Sequence, residues 1–300
     1  MEMEGNETIT ITRRHRSADF AMPEDHYHPQ YELFYLASGR CRIFLNHTIY
    51  HMKPGDFLLI EPMALHHTSY GIAQDNERYA VYFEEPYLDR LRELCGTEWE
   101  KTLRDHLLIR LDTGRRRYLE HMLQKMIAEK RRNDGFSEML IQNDLYELLS
   151  FFVRYVEEEQ ELPFPEPGES MDREDAIQEA AGYIYTHYPE TLTLETVADR
   201  VHMSPAYFSR KFKKITGLGY KEYVNYVRIR QACRMLRETD LSVMEIAQHC
   251  GYSDSNYFGD LFKKEKGMSP RMYRQHSRLT VGRRDDGRAD GDRHSGSLDR

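Results

Sequence analysis

Cysteine is scarce. The chain has four in 300 residues, at 41, 95, 233 and 250, with no C-x-x-C pair. That spacing excludes a disulfide framework or a cysteine-built metal site as an organising feature and leaves isolated thiols. Long apolar runs are missing too, since no stretch approaches the roughly 20 residues that span a bilayer. Residues 1 to 17, MEMEGNETITITRRHRS, have neither the basic start nor the apolar run of a signal peptide. The chain is therefore expected to be cytoplasmic and without a membrane partner. Nothing in its motifs requires a cofactor.

What is present is unevenly distributed. Residues 1–171 carry 20 Lys and Arg against 31 Asp and Glu, whereas residues 203–274 carry 14 against 7. A polyanion would be repelled by the first part and drawn to the second. Between them LPFPEPGES, residues 162–170, holds three prolines and a glycine, a composition that neither a helix nor a central strand tolerates. It reads as a linker over 162–171.

Before the linker, residues 30–85 contain the short apolar or alternating runs YELFYLASG, CRIFLNHTIY and DFLLIEP, broken by Gly39, Pro54-Gly55 and Pro62. These predict the strands of a sandwich or barrel. Leu119, Met122, Leu123, Met126 and Ile127, and then Leu145, Leu148, Leu149, Phe152, Val153 and Val156, recur at helical spacing on either side of Asn133-Asp134-Gly135. Two amphipathic helices are expected there, to cover the first domain; homodimerisation is an alternative role for them. From residue 277 onward the chain mixes charges with few apolar groups and is expected to lack regular structure.

The basic part contains one phrase twice. Tyr207, Phe208, Phe212, Lys213, Lys214 and Gly217 match Tyr257, Phe258, Phe262, Lys263, Lys264 and Gly267. In each copy the phenylalanines fall at i and i+4, one buried stripe. Ala206, Ser209, Arg210 and Lys213 form the outward stripe of the first copy, and Asn256, Gly259, Asp260 and Lys263 that of the second. A shorter amphipathic helix precedes each, LETVADRV (194–201) and VMEIAQHC (243–250). Helix, tight turn, helix with an exposed polar face is the helix-turn-helix plan. Residues 220–238 between the copies lack glycine and proline and read as one helix of roughly 28 Å, near the ~34 Å turn of a duplex.

Residues 192–274, including EIAQHCGYSDSNYFGDLFKKEKGMSPRMYR, resemble the C-terminal domain of AraC/XylS-type transcriptional regulators. The resemblance implies sequence-specific binding to promoter DNA, with RNA polymerase as a partner and activation more usual than repression. On base-edge chemistry, Arg210 is the residue best suited to guanine, with Ala206 and Ser209 beside it, and Asn256 to adenine. Lys213, Lys214, Lys263 and Lys264 are suited to phosphate.

HYHPQYELFYLASG, residues 26–39, sets His26, His28, Glu32 and Gly39 at the spacing of the first cupin motif, and Pro62 with His66 or His67 follows where the second expects a histidine. His66 and His67 are both open on this reading. In AraC-type regulators such a barrel resembles a sensor for a small effector, often a sugar. His26, His28, Glu32, Tyr35 and His66 are then the expected lining. Metal binding by the same cluster, and plain structural hydrogen bonding, are alternatives. Metal binding would favour a cupin dioxygenase or isomerase fused to a DNA-binding half, and plain bonding a constitutive regulator with an architectural barrel. The expectation taken forward is a multidomain α+β chain that is not an enzyme. It has a cupin-like β-barrel at 1–95, a helical cover at 96–161 and an all-α tandem helix-turn-helix domain at 172–276.

Overall fold

A computed structural model of the chain describes residues 9–16, 28–70, 75–105, 107–159 and 175–285, apart from the side chains of 104, 105, 159, 175 and 278–285. The chain divides into two compact units, residues 1–178 with 214–217, and residues 179–213 with 218–300.

In the first unit, β1 (Thr10–Arg16), β2 (Tyr31–Ser38), β3 (Cys41–Leu45), β4 (Thr48–Met52), β5 (Asp56–Ile60), β6 (His66–Tyr70) and β7 (Asn76–Phe83) precede α1 (Glu85–Cys95) and α2 (Glu98–Asp105). A short strand, β8 (Leu108–Arg110), then leads to α3 (Thr113–Arg132) and α4 (Ser137–Glu159). One antiparallel sheet has the order β1-β7-β2-β5-β8 and the other β4-β3-β6. Strand parity sorts the side chains into two cores. Phe34 and Leu36 of β2 meet Ile43, Leu45, Met52, Leu58, Ile60 and Tyr70 between the sheets. Leu33 and Tyr35, one residue out of step, meet Phe57, Tyr79 and Val81 beneath α1 to α4. Gly39 (φ 84°) makes the turn from β2 to β3, where a Cβ would lie 2.2 Å from Asn76 Oδ1. The segment 96–161, expected to be helical, thus supplies a strand as well: Leu108 and Ile109 pair with Leu58 and Phe57 at the sheet edge. Three residues are too few to show a sequence pattern.

Asn133 ends α3 in the left-handed conformation (φ 49°), so the chain reverses at the expected break and α4 packs back on α3. Asp112 caps α3 by accepting from the Gly114 and Arg115 amides.

The helical remainder comprises α5 (Asp175–His187), α6 (Leu194–Arg200), α7 (Pro205–Thr216), α8 (Tyr220–Glu238), α9 (Val243–His249), α10 (Ser255–Lys266) and α11 (Pro270–Asp285). Capping boxes start α6 at Thr193 and α9 at Ser242. α8 spans the residues its composition predicts, and its Ile229, Ala232, Cys233 and Leu236 form the floor under Ile246, Phe258 and Phe262. The lack of regular structure expected from 277 does not hold for residues 277–285. α11 runs past Ser277 because RMYRQHSRLTV, residues 271–281, holds no proline or glycine to stop a helix begun at Pro270, and it reaches Asp285 with Gly282 in its last turn. The linker 162–171 and the tail beyond 285 lie outside the described residues.

Candidate DNA interface and candidate effector site

The two helix-turn-helix units are built by one device. After α6 the chain turns through His202 (φ 54°), with the Met203 amide donating to the Ala198 carbonyl at 3.0 Å. After α9 it turns through Gly251 (φ 81°), with Tyr252 donating to Ala247 at 2.9 Å. At Gly251 glycine is required twice over. The backbone is left-handed, and a Cβ would sit 2.6 Å from the Pro189 carbonyl oxygen and 2.9 Å from Arg228 Nη2. Arg228 is fixed there by donating to the Tyr188 and Glu190 carbonyls, both at 2.8 Å. Asp254 caps α10 through the Asn256 and Tyr257 amides.

Phe208, Phe212, Phe258 and Phe262 are fully buried. The opposite stripes of α7 and α10 face solvent: Ala206, Arg210, Lys213 and Lys214 on one, Asn256, Asp260, Lys263 and Lys264 on the other, with Ser209 and Gly259 half-buried. Every predicted DNA-contact residue thus lies on the outward side of α7 or α10. Tyr207 and Tyr257 are also exposed there, at 38% and 55%. The sequence reading overlooked them because their aromatic character matches the core stripe they adjoin.

In the first unit, Glu32 shares the inward face of β2 with Phe34 and is 3% exposed. His66 heads β6, whose residues 66, 68 and 70 alternate inward, so His66 and not His67 reaches Glu32, Nε2 to Oε2 at 3.5 Å. His28, just before β2, brings its Nε2 to the same carboxylate oxygen at 3.2 Å. Its ring meets that of His66 edge-on at 5.1 Å. The His28 Nδ1 lies 2.8 Å from the Gln30 carbonyl oxygen and the His66 Nδ1 2.9 Å from that of Ala64. A carbonyl only accepts, so both Nδ1 atoms carry a proton, and each Nε2 is turned to Glu32, donating to the carboxylate when the ring is protonated and offering its lone pair when the ring is neutral. Tyr82, directly across from Glu32 in the β2–β7 pairing, donates its hydroxyl to the carboxylate. Burial works to raise the Glu32 pKa, but the His28 bond and the fields of His66 and Arg78 outweigh it and hold the group below its ordinary value.

Of the five residues expected to line an effector site, the structure brings together His28, Glu32 and His66; His26 lies outside the described residues. Tyr35 is not among them. Odd and even positions of a strand point to opposite faces, so it turns toward the helices and donates to Glu120 Oε1 at 2.6 Å. Tyr35→Phe is therefore expected to lower the stability of this unit by about 1–2 kcal/mol, seen in denaturant unfolding, while ligand binding at the cluster stays as in the parent. Tyr82 and Arg78 are the residues the sequence reading missed. Their place beside Glu32 follows from a strand pairing that no local pattern announces.

Residues 10–149 match the family model described as an AraC-like ligand binding domain, and residues 197–276 the model of a helix-turn-helix domain. The chain is 42% identical over 115 residues to the uncharacterized HTH-type transcriptional regulator YijO of Escherichia coli K12, covering 37% of this chain and 41% of that one. It is 26% identical over 275 residues to the HTH-type transcriptional activator RhaS of Escherichia coli O157:H7, covering 90% and 93%. Among solved structures, the C-terminal domain of AraT, a response regulator from Geobacillus stearothermophilus, is 36% identical, with 34% of this chain and 84% of that one covered and a TM-score of 0.33. The chain spans less than half the length of the first curated relatives it matches.

Proposed function

Because the chain belongs to the AraC-type family of transcriptional regulators, by both its N-terminal ligand-binding and its C-terminal helix-turn-helix domains, we propose that it binds promoter DNA under the control of a small effector held by the N-terminal barrel. The observation that carries the DNA half is the pair of solvent-facing stripes on α7 and α10. They present Arg210, Lys213, Lys214, Lys263 and Lys264 over buried phenylalanines, on the basic side of a chain whose total charge is −8. Ala206, Ser209 and Asn256 complete the surface that meets base edges. The sensing half rests on the convergence of His28, Glu32 and His66 at the edge of the apolar cluster between the sheets, beside Tyr82 and Arg78. A buried carboxylate between two imidazoles is costly unless it serves a ligand or a fixed network, and a sugar or related metabolite offers hydroxyls to such a cluster.

The control we infer is a shift between arrangements of the two domains, which requires the effector to favour one of them. RNA polymerase contact, activation and a homodimer are part of this proposal. YijO and RhaS are named as regulators, which favours the regulator reading over a fused enzyme, although AdaA of Bacillus subtilis, 37% identical over 111 residues, is named as both activator and DNA repair enzyme. Footprinting on upstream DNA, with and without a panel of sugars and small metabolites, tests the reading. Protection is expected to respond to one class of compound, and that compound to raise the unfolding temperature by several degrees through mass action. Identical footprints and identical transcription across the panel would remove effector control.

A further inference from the structure

His28 Nε2, Glu32 Oε2 and His66 Nε2 lie within 4.8 Å of one another, and among the described residues they are the one group of three that could hold a metal ion. When both rings are neutral and held through Nδ1, three electron-pair donors face each other, with 3.2 and 3.5 Å between the nitrogens and the shared carboxylate oxygen. Atoms at that distance need a positive charge between them, which a proton on Nε2 supplies in the metal-free cluster and a bound cation can replace. In a tetrahedral site with bonds of ~2.05 Å, neighbouring ligand atoms are about 3.3 Å apart, close to the two separations from Glu32 found here. Each ligand is also held from behind. The backbone carbonyls of Gln30 and Ala64 accept from the two Nδ1 atoms, and Tyr82 donates to Glu32. Carbonyls behind histidines and a hydrogen bond on the carboxylate are the outer supports that orient metal ligands and fix their tautomers.

We propose that His28, Glu32 and His66 form the binding site of one divalent transition-metal ion, with coordination positions left over for an oxygen atom of water or of a small effector. Two imidazoles and one carboxylate suit a borderline cation such as zinc, iron(II) or cobalt(II) better than calcium or magnesium, which favour oxygen. The site itself depends only on the three side chains. Any consequence for DNA binding rests on the barrel being the controlling domain, as proposed above.

The test uses the full-length chain, free of any metal-binding tag, stripped with chelator and titrated with cobalt(II). Expected are about one equivalent bound, visible d–d absorption of a low-coordinate ion, and a higher unfolding temperature reported by Trp99, which lies in the same unit. Glu32→Gln, nearly isosteric and able to keep the Tyr82 contact, and His66→Ala are each expected to weaken uptake about tenfold or more. Absence of a visible band and of any saturable uptake in the parent chain overturns the proposal, whatever the variants do. So does uptake that survives unchanged in folded Glu32→Gln, because the ion is then held elsewhere among the 14 histidines. Footprinting the same preparations separates the readings. A chain that takes no cobalt and still protects its DNA refutes the metal site alone, and one that takes cobalt and protects nothing refutes the DNA reading alone.

Discussion

Phe262→Ala is expected to destabilise the second helix-turn-helix by about 3–5 kcal/mol, the usual cost of emptying a phenylalanine site in a packed core. Phe262 is fully buried, with the rings of Phe258 at 5.7 Å and Tyr273 at 5.5 Å, so it joins α10 to α11 as well as to the floor of α8. Domains are stable by only about 5–15 kcal/mol in all, so a loss of this size removes a third or more of what a typical unit has. Phe262→Leu, which keeps most of the volume, should cost far less. The chain carries its own control. Its single tryptophan, Trp99, is in the N-terminal unit, anchored by its Nε1 donating to the Gly96 carbonyl at 2.7 Å. The expected result is an earlier helical transition by circular dichroism, loss of DNA binding, and a Trp99 fluorescence transition close to that of the parent. A Trp99 transition displaced as far as the helical one would mean that the two units do not unfold separately.

The helical half was legible in the sequence because its determinants are local. The span of α8, the glycine at the second turn and the caps at Thr193 and Ser242 each follow from residues within a few positions of one another. The N-terminal half was legible only as alternation. Parity alone says that Glu32 and Tyr35 cannot share a face, which is enough to take Tyr35 out of the effector set. β1 went unnoticed for a different reason. Its residues, TITRRHR, are mostly polar, as suits a sheet edge guarded by charge, and its register is set by β7 more than sixty residues away. The choice between His66 and His67 likewise waited on the pairing of β6 with β3, which sets Leu45 opposite His66 and Phe44 opposite His67. Spacing in one strand names candidates for a site. Which of them converge is decided by the neighbouring strand.

The two exposed stripes should divide the work of DNA recognition unequally, and of the three positions at which they differ two set the division. Where the first copy has Ser209 and Arg210, the second has Gly259 and Asp260. Arg210 is exposed on α7 and suited to a bidentate contact with guanine, so Arg210→Ala should cost about 1–3 kcal/mol on the preferred site and relax discrimination at one base pair. Asp260 presents a carboxylate to a polyanion, and at best accepts from cytosine. Lys263 and Lys264 beside it remain suited to phosphate, so Lys263→Ala should weaken all sequences alike and reduce the salt slope by about one. Packing does not impose the glycine, because a Cβ built on Gly259 meets nothing within 4 Å. Giving the second copy the serine and arginine of the first, with Gly259→Ser and Asp260→Arg, is therefore sterically open at the glycine. The pair should raise overall affinity, since it removes a repelled charge, adds an attracted one and replaces a poor helix former worth up to ~1 kcal/mol. Competition binding against a randomised operator library measures all of these variants together. If Arg210→Ala keeps the parent preference while Asn256→Ala loses it, the second copy is the reader and the first the grip.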